Sequence, residues 1–293
     1  MNTKINYNSN TGGYVLAILG SVSYGLNPLF ALPLYAHNYS PTEVVFYRYI
    51  MAAVIMSFIV WLKGERLIMS RRETWQAALM GIFFALSSLL LFASFVYIDA
   101  GIASTILFTY PLFVALMQWK FFGEKASAAT WTALLLATIG IVLLYETDGK
   151  TLDPIGVVLV LLSSLTYAIY IVGVNRSSLK SMHTMTLTFY TLISGTILFS
   201  AVLAIEGGLS PLRVPSDYLN AAGLAIFPTI LSLVMVTRSI HTIGSTPASI
   251  IGALETLTAL GISLLFFDGH LNLSNWLGIL LVLFAVALTV IKK

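Results

Sequence analysis

Apolar runs follow one another along the whole chain, separated by short stretches that hold most of the charge. A helix needs about 20 mostly apolar residues to cross a bilayer, and it must satisfy every backbone N–H and C=O internally. Ten runs meet that requirement: Gly13–Leu32, Thr42–Leu62, Thr74–Ile98, Gly101–Phe122, Ala128–Tyr145, Pro154–Val174, Met185–Ile205, Tyr218–Ile240, Thr246–Phe267 and Leu273–Ile291. They are called spans 1 to 10 below. The predicted fold class is all-α, a polytopic membrane protein with ten transmembrane helices.

The pattern also repeats. At an offset of about 145 residues, Ser21-Val22-Ser23-Tyr24-Gly25-Leu26 aligns with Ser164-Leu165-Thr166-Tyr167-Ala168-Ile169, and Phe46-Tyr47-Arg48 with Phe189-Tyr190-Thr191. Ala77-Ala78, Gly81 and Phe83 match Ala221-Ala222, Ala225 and Phe227. Each copy carries an odd number of spans, so the second enters the membrane from the opposite side. The expected organisation is a first five-helix repeat over residues 1–148 and a second, inverted one over 149–293. Inverted repeats are a common basis of alternating access in secondary transporters. Duplication for stability alone would explain repetition but would not favour inversion.

Composition narrows the class. Hydrophobic residues make up 58% of the chain and charged residues 9%, whereas a soluble domain carries about 25% charged residues. The absence of cysteine removes disulfides, cysteine-ligated structural zinc and thiol catalysis. The net charge of +3 is not gathered into a water-facing patch, so no nucleic-acid partner is expected. Lys and Arg orient the chain, because they resist translocation. With both termini cytoplasmic, the inner side holds Lys4, Lys63, Arg66, Arg71, Arg72, Lys120, Lys125, Arg176, Lys180, Arg238, Lys292 and Lys293, and the outer side only Lys150 and Arg213. The expected location is the inner (plasma) membrane. The first apolar run is too long for a signal peptide and is expected to stay as a span.

Further motifs lie in the last two spans of each half. The first half has Ala103-Ser104, Tyr110-Pro111-Leu112, Phe122-Gly123-Glu124 and Gly140-Ile141-Val142; the second has Pro247-Ala248-Ser249, Leu254-Glu255 and Gly278-Ile279-Leu280. This arrangement resembles the EamA type of the drug/metabolite transporter superfamily over nearly the whole chain. Two positions depart from it, with Thr256 where proline is frequent and Asp268-Gly269 where Gly-Glu is common. The resemblance implies an exporter of amino acids or other small metabolites, with spans 1–4 and 6–9 around a central cavity and spans 5 and 10 at the periphery.

An ionised side chain inside a membrane is costly unless paired or wet, so Arg48 and Glu255 are the first candidates for function. In one reading Arg48 holds a substrate carboxylate, while Glu255 meets an ammonium group or carries a proton. In the other they form a buried ion pair that only fixes packing. Tyr24 and Asn27 precede the break expected at Pro28. Tyr110 is the repeat counterpart of Glu255, and Tyr167 and Tyr170 lie in span 6, completing the candidate substrate-binding set. Pro28, Pro111 and Pro228 are candidate hinges. The series Ala77, Gly81, Ala85, echoed by Ala221, Ala225 and Thr229, reads as close helix packing.

No complete P-loop, Gly-x-Ser-x-Gly elbow or His-Glu-x-x-His helix occurs, so neither ATP nor an embedded catalytic set is expected. No cofactor and no metal are expected. The predicted function is secondary transport of a small-molecule substrate by a monomer or homodimer in the lipid bilayer. The alternatives are a polar-solute channel and a membrane enzyme or scaffold.

Overall fold

A computed structural model of the protein describes residues 7–64, 67, 70–123, 128–144, 146–147, 150–243, 251–267 and 271–291. The helices are α1 (Tyr7–Gly25), α2 (Asn27–Ala36), α3 (Pro41–Lys63), α4 (Arg71–Ser94), α5 (Ala100–Leu107), α6 (Tyr110–Phe122), α7 (Ala128–Leu144) and α8 (Pro154–Asn175). They continue with α9 (Thr184–Glu206), α10 (Pro215–Leu224), a π turn (Ala225–Leu231), α11 (Ser232–Ile243), α12 (Ala253–Phe266) and α13 (Leu273–Ile291). A ladder of Glu146–Thr147 with Lys150–Thr151 joins α7 to α8.

Among the described residues, seven helical stretches are long and apolar enough to cross a membrane, and they fall on predicted spans 1–4 and 6–8. Shorter apolar stretches, Trp131–Gly140, Leu254–Phe266 and Leu273–Ala285, fall on spans 5, 9 and 10. The expected start of span 9 at Thr246, the end of span 5 at Tyr145, the Pro247-Ala248-Ser249 motif and Glu124 lie outside the described residues.

Local chemistry sets the helix ends. Ser40 with Glu43, and Ser70 with Glu73, form capping boxes that start α3 and α4, and Gly64 ends α3 in the left-handed conformation. Three spans that the hydropathy pattern reads as continuous are interrupted at proline. Span 1 breaks at Leu26, and Pro28 then occupies the first turn of α2. Span 4 breaks at Phe108–Thr109 before Pro111, and the Leu107 carbonyl instead accepts the Ser164 hydroxyl at 3.1 Å. Span 8 widens into the π turn around Pro228.

The strongest pairings are α7 with α13, α4 with α8, α1 with α11, and α3 and α4 each with α9. The α1–α11 pair is antiparallel and close. A methyl built on Gly13 would lie 2.5 Å from Ile243 Cγ2, and one on Gly20 would lie 2.8 Å from Val236 Cγ2. At the end of α1, a methyl on Gly25 would lie 2.6 Å from the carbonyl oxygen of Glu255 in α12. The α4–α8 pair runs the same way, with Gly156 against Tyr97 and Ile98, Ser163 against Ser87, and Gly173 against Met80. One large core gathers most of the bundle, while Leu112, Ala133, Ala137 and Ala285 form a smaller cluster that includes α7 and α13.

At one end of the bundle, a polar seam joins residues 37–47 to 206–217. Buried Asp217 receives the Tyr39 hydroxyl at 2.9 Å and the N–H groups of Arg213 and Val214 at 3.2 and 3.3 Å, and His37 Nδ1 lies 2.6 Å from its other oxygen. Burial and the Asp217 carboxylate push the Tyr39 phenol up, so it remains a donor. The Ser210 N–H donates to Glu43 at 2.8 Å, and the Tyr47 hydroxyl donates to the Ser210 carbonyl at 2.6 Å. Removing the Asp217 carboxylate strands several donors at once. Asp217→Ala is expected to cost about 2 kcal/mol, read as a fall of about 4 °C in the melting temperature of the solubilised protein. Asp217→Asn, which keeps one acceptor oxygen, should lose less.

Candidate functional site

Arg48 lies about 12 Å along α3 from its cap at Ser40, counting ~1.5 Å per residue, and is 1% exposed. Its Nε donates to the Thr229 hydroxyl at 2.6 Å, and its Nη2 lies 3.5 Å from the Pro228 carbonyl. Three rings surround the guanidinium: Tyr24, Tyr49 and Phe92, with centroids 5.8, 5.9 and 5.4 Å from Cζ. Such faces attract a cation that has been taken out of water. Nη1 has no hydrogen-bond partner.

Glu255 begins α12 and is half-buried. It lies within electrostatic reach of Arg48, Tyr24, Tyr110 and Tyr167. The buried ion pair considered from sequence is not formed: no Arg48 nitrogen is within 4.0 Å of Glu255, and among the described residues the His37–Asp217 contact is the only ion pair. A cation and an acid therefore share one region without neutralising each other directly.

The tyrosines connect them. Tyr110 meets Tyr167 edge-on at 4.7 Å, Tyr167 stacks on Tyr170 at 6.2 Å, and Phe84 touches both Tyr167 and Tyr170 at 5.9 and 5.0 Å. Phe84 also contacts Tyr49, the neighbour of Arg48, at 6.3 Å. Tyr24, Tyr110, Tyr167 and Tyr170 are half-buried.

Asn27 is 3% exposed, and its Oδ1 has no partner, so it is not tied through that oxygen to a neighbouring helix. Oγ1 of Thr191, which stands in the second half where Arg48 stands in the first, also lacks a partner in hydrogen-bond geometry, with the Tyr170 hydroxyl beside it. A buried polar atom without a partner costs about 1–3 kcal/mol. Such atoms on Asn27, Arg48 and Thr191, in spans 1, 2 and 7, suit a polar ligand.

Sequence reasoning brought Arg48, Glu255 and the four tyrosines to one region, and Pro28, Pro111 and Pro228 to the three helix interruptions. It missed Thr191, although the repeat alignment with Arg48 carried the signal. It misread Thr229. The stripe does pack closely, with Ala77, Ala85, Ala221 and Ala225 buried and Gly81 against Ser194, but Thr229 also supplies the acceptor for Arg48, because the π turn presents its hydroxyl to span 2.

Known proteins resemble this chain over most of its length. A family model described as EamA-like transporter family matches residues 11–146 and again 154–291. The uncharacterized transporter sll1319 of Synechocystis sp. is 32% identical over 232 residues, covering 76% of this chain and 69% of the relative. The uncharacterized inner membrane transporter YedA of Escherichia coli K12 is 23% identical over 266 residues, covering 90% of this chain and 86% of the relative. A solved crystal structure superposes with a TM-score of 0.68 at 16% identity, covering 98% of this chain and 97% of that one. That likeness concerns the fold alone.

Proposed function

Because the chain belongs to the EamA-like transporter family, we propose that it is a secondary transporter that exports amino acids or similar small metabolites by alternating access. The observation that carries this reading is Arg48, buried with a free Nη1 and within electrostatic reach of Glu255 without an ion pair to it. A zwitterion carries the charges that would complement both groups. Its carboxylate meets Arg48, its ammonium meets Glu255, and its side chain lies along Tyr24, Tyr110, Tyr167 and Tyr170. Asn27 adds an acceptor at the break in span 1. Glu255 also serves as the proton carrier, taking up a proton when the ammonium leaves.

The moving parts in this proposal are two inverted halves, residues 1–148 and 149–293. Two contacts support the division. Gly13 meets Thr242 and Ile243, and Gly156 meets Tyr97 and Ile98, the same contact with the halves exchanged. Gly223 against Phe30 and Gly173 against Met80 repeat the exchange. Pro28, Pro111 and Pro228 are the hinges. The chain works in the inner membrane with both termini cytoplasmic, without a cofactor and without a catalytic step.

Counterflow in proteoliposomes tests the proposal. Preloading with an unlabelled L-amino acid should drive transient uptake of the same labelled one, saturably, for at least one member of the proteinogenic set. Flux that neither saturates nor shows counterflow would mark a channel instead.

A further inference from the structure

Span 8 leaves α-helical geometry where Arg48 reaches it. Pro228 has no N–H to give to the Leu224 carbonyl four residues back, and the segment Ala225–Leu231 takes the wider π turn. The Thr229 hydroxyl donates to that Leu224 oxygen at 2.8 Å. With its only proton committed there, the Thr229 oxygen is left as an acceptor, and Nε of Arg48 donates to it. Nη2 faces the Pro228 carbonyl of the same turn. Nε and Nη2 form one edge of the planar guanidinium fork. The π turn thus holds that edge, and Nη1, on the far side, remains without a partner.

We infer that Thr229 is the positioning residue of Arg48: the π turn makes its hydroxyl an obligate acceptor, which fixes one edge of the guanidinium and leaves Nη1 for the carboxylate of the transported solute. The second half of this statement rests on the proposed role of Arg48 as carboxylate anchor. The first half does not, since it concerns only the arginine and the turn. The arrangement also links the occupied site to the backbone of span 8, because the acceptor belongs to the one irregular turn of that span.

The test uses the full chain in nanodiscs with 15N-labelled arginine, the Arg48 Nε–H signal being assigned by its loss in Arg48→Gln. Its exchange with deuterium should be slow in the unaltered protein and in Thr229→Ser, which keeps the hydroxyl. In Thr229→Val, which keeps the shape, exchange should be about tenfold faster or more. In proteoliposome counterflow with the proteinogenic L-amino acids, Thr229→Val should raise KM about tenfold, with the maximal rate held within about twofold and Thr229→Ser restoring KM. An Nε–H signal indifferent to Thr229→Val would overturn the inference. So would a fall in maximal rate at unchanged KM. If the Nε–H signal responds but no amino acid exchanges even in the unaltered protein, the positioning role holds and the carboxylate reading is what fails.

Discussion

Replacing Arg48 by glutamine is expected to weaken amino-acid exchange by about a hundredfold while leaving the corresponding amides nearly unaffected. Removing one partner of a buried charge pair costs about 3–5 kcal/mol, and the free Nη1 is where a carboxylate would complete that pair. An amide carries no charge to lose. The contrast between acid and amide therefore isolates the anchor from general damage to the bundle. Glutamine can still reach the Thr229 hydroxyl, so the π turn keeps a partner. Counterflow of each amino acid against its own amide reads the effect. Equal losses for acid and amide would make Arg48 a packing residue, and no loss for either would remove it from the site.

Glu255→Gln separates coupling from binding. A one-for-one exchange of a proton for a neutral zwitterion can build a concentration ratio of about tenfold per pH unit, since one unit is worth 1.36 kcal/mol. The unaltered protein in liposomes under an imposed gradient of about one unit should approach that ratio. Glutamine has nearly the shape of the neutral acid but cannot release a proton. Gradient-driven accumulation should therefore vanish, while counterflow, which needs no net proton movement, continues at a raised KM because the ammonium loses its carboxylate partner. Accumulation that persists in Glu255→Gln would place the coupling proton on another group.

The overall fold was legible because lipid imposes a strict rule on the sequence. Among the described residues the predicted apolar runs fall on helix, seven of them long and apolar enough to cross, and the proline-marked breaks fall where the missing N–H groups require them. The two intramembrane charges were legible for the same reason, since Arg48 and Glu255 stand out in an apolar background. What could not be read was partnership across long separations. Thr229 lies 181 residues from Arg48, and only the π turn aims its hydroxyl at span 2. The seam was hidden in the same way. His37 is one of four histidines scattered along the chain, and the fold alone brings it onto Asp217, 180 residues later. Its neighbours Tyr39 and Glu43 sit beside a loop that hydropathy reads only as a break between spans.

Span 1 meets spans 8 and 9 through glycines, and Gly20 and Gly25 present no side chain of their own to Val236 and Thr258 opposite. Interdigitated side chains lock two rods in register, whereas bare backbone offers no ridge to climb. At those two points the first rod has no rotamer of its own to change. The same nearness ties its tip to the site, because the peptide at Gly25 lies directly against the main chain that carries Glu255.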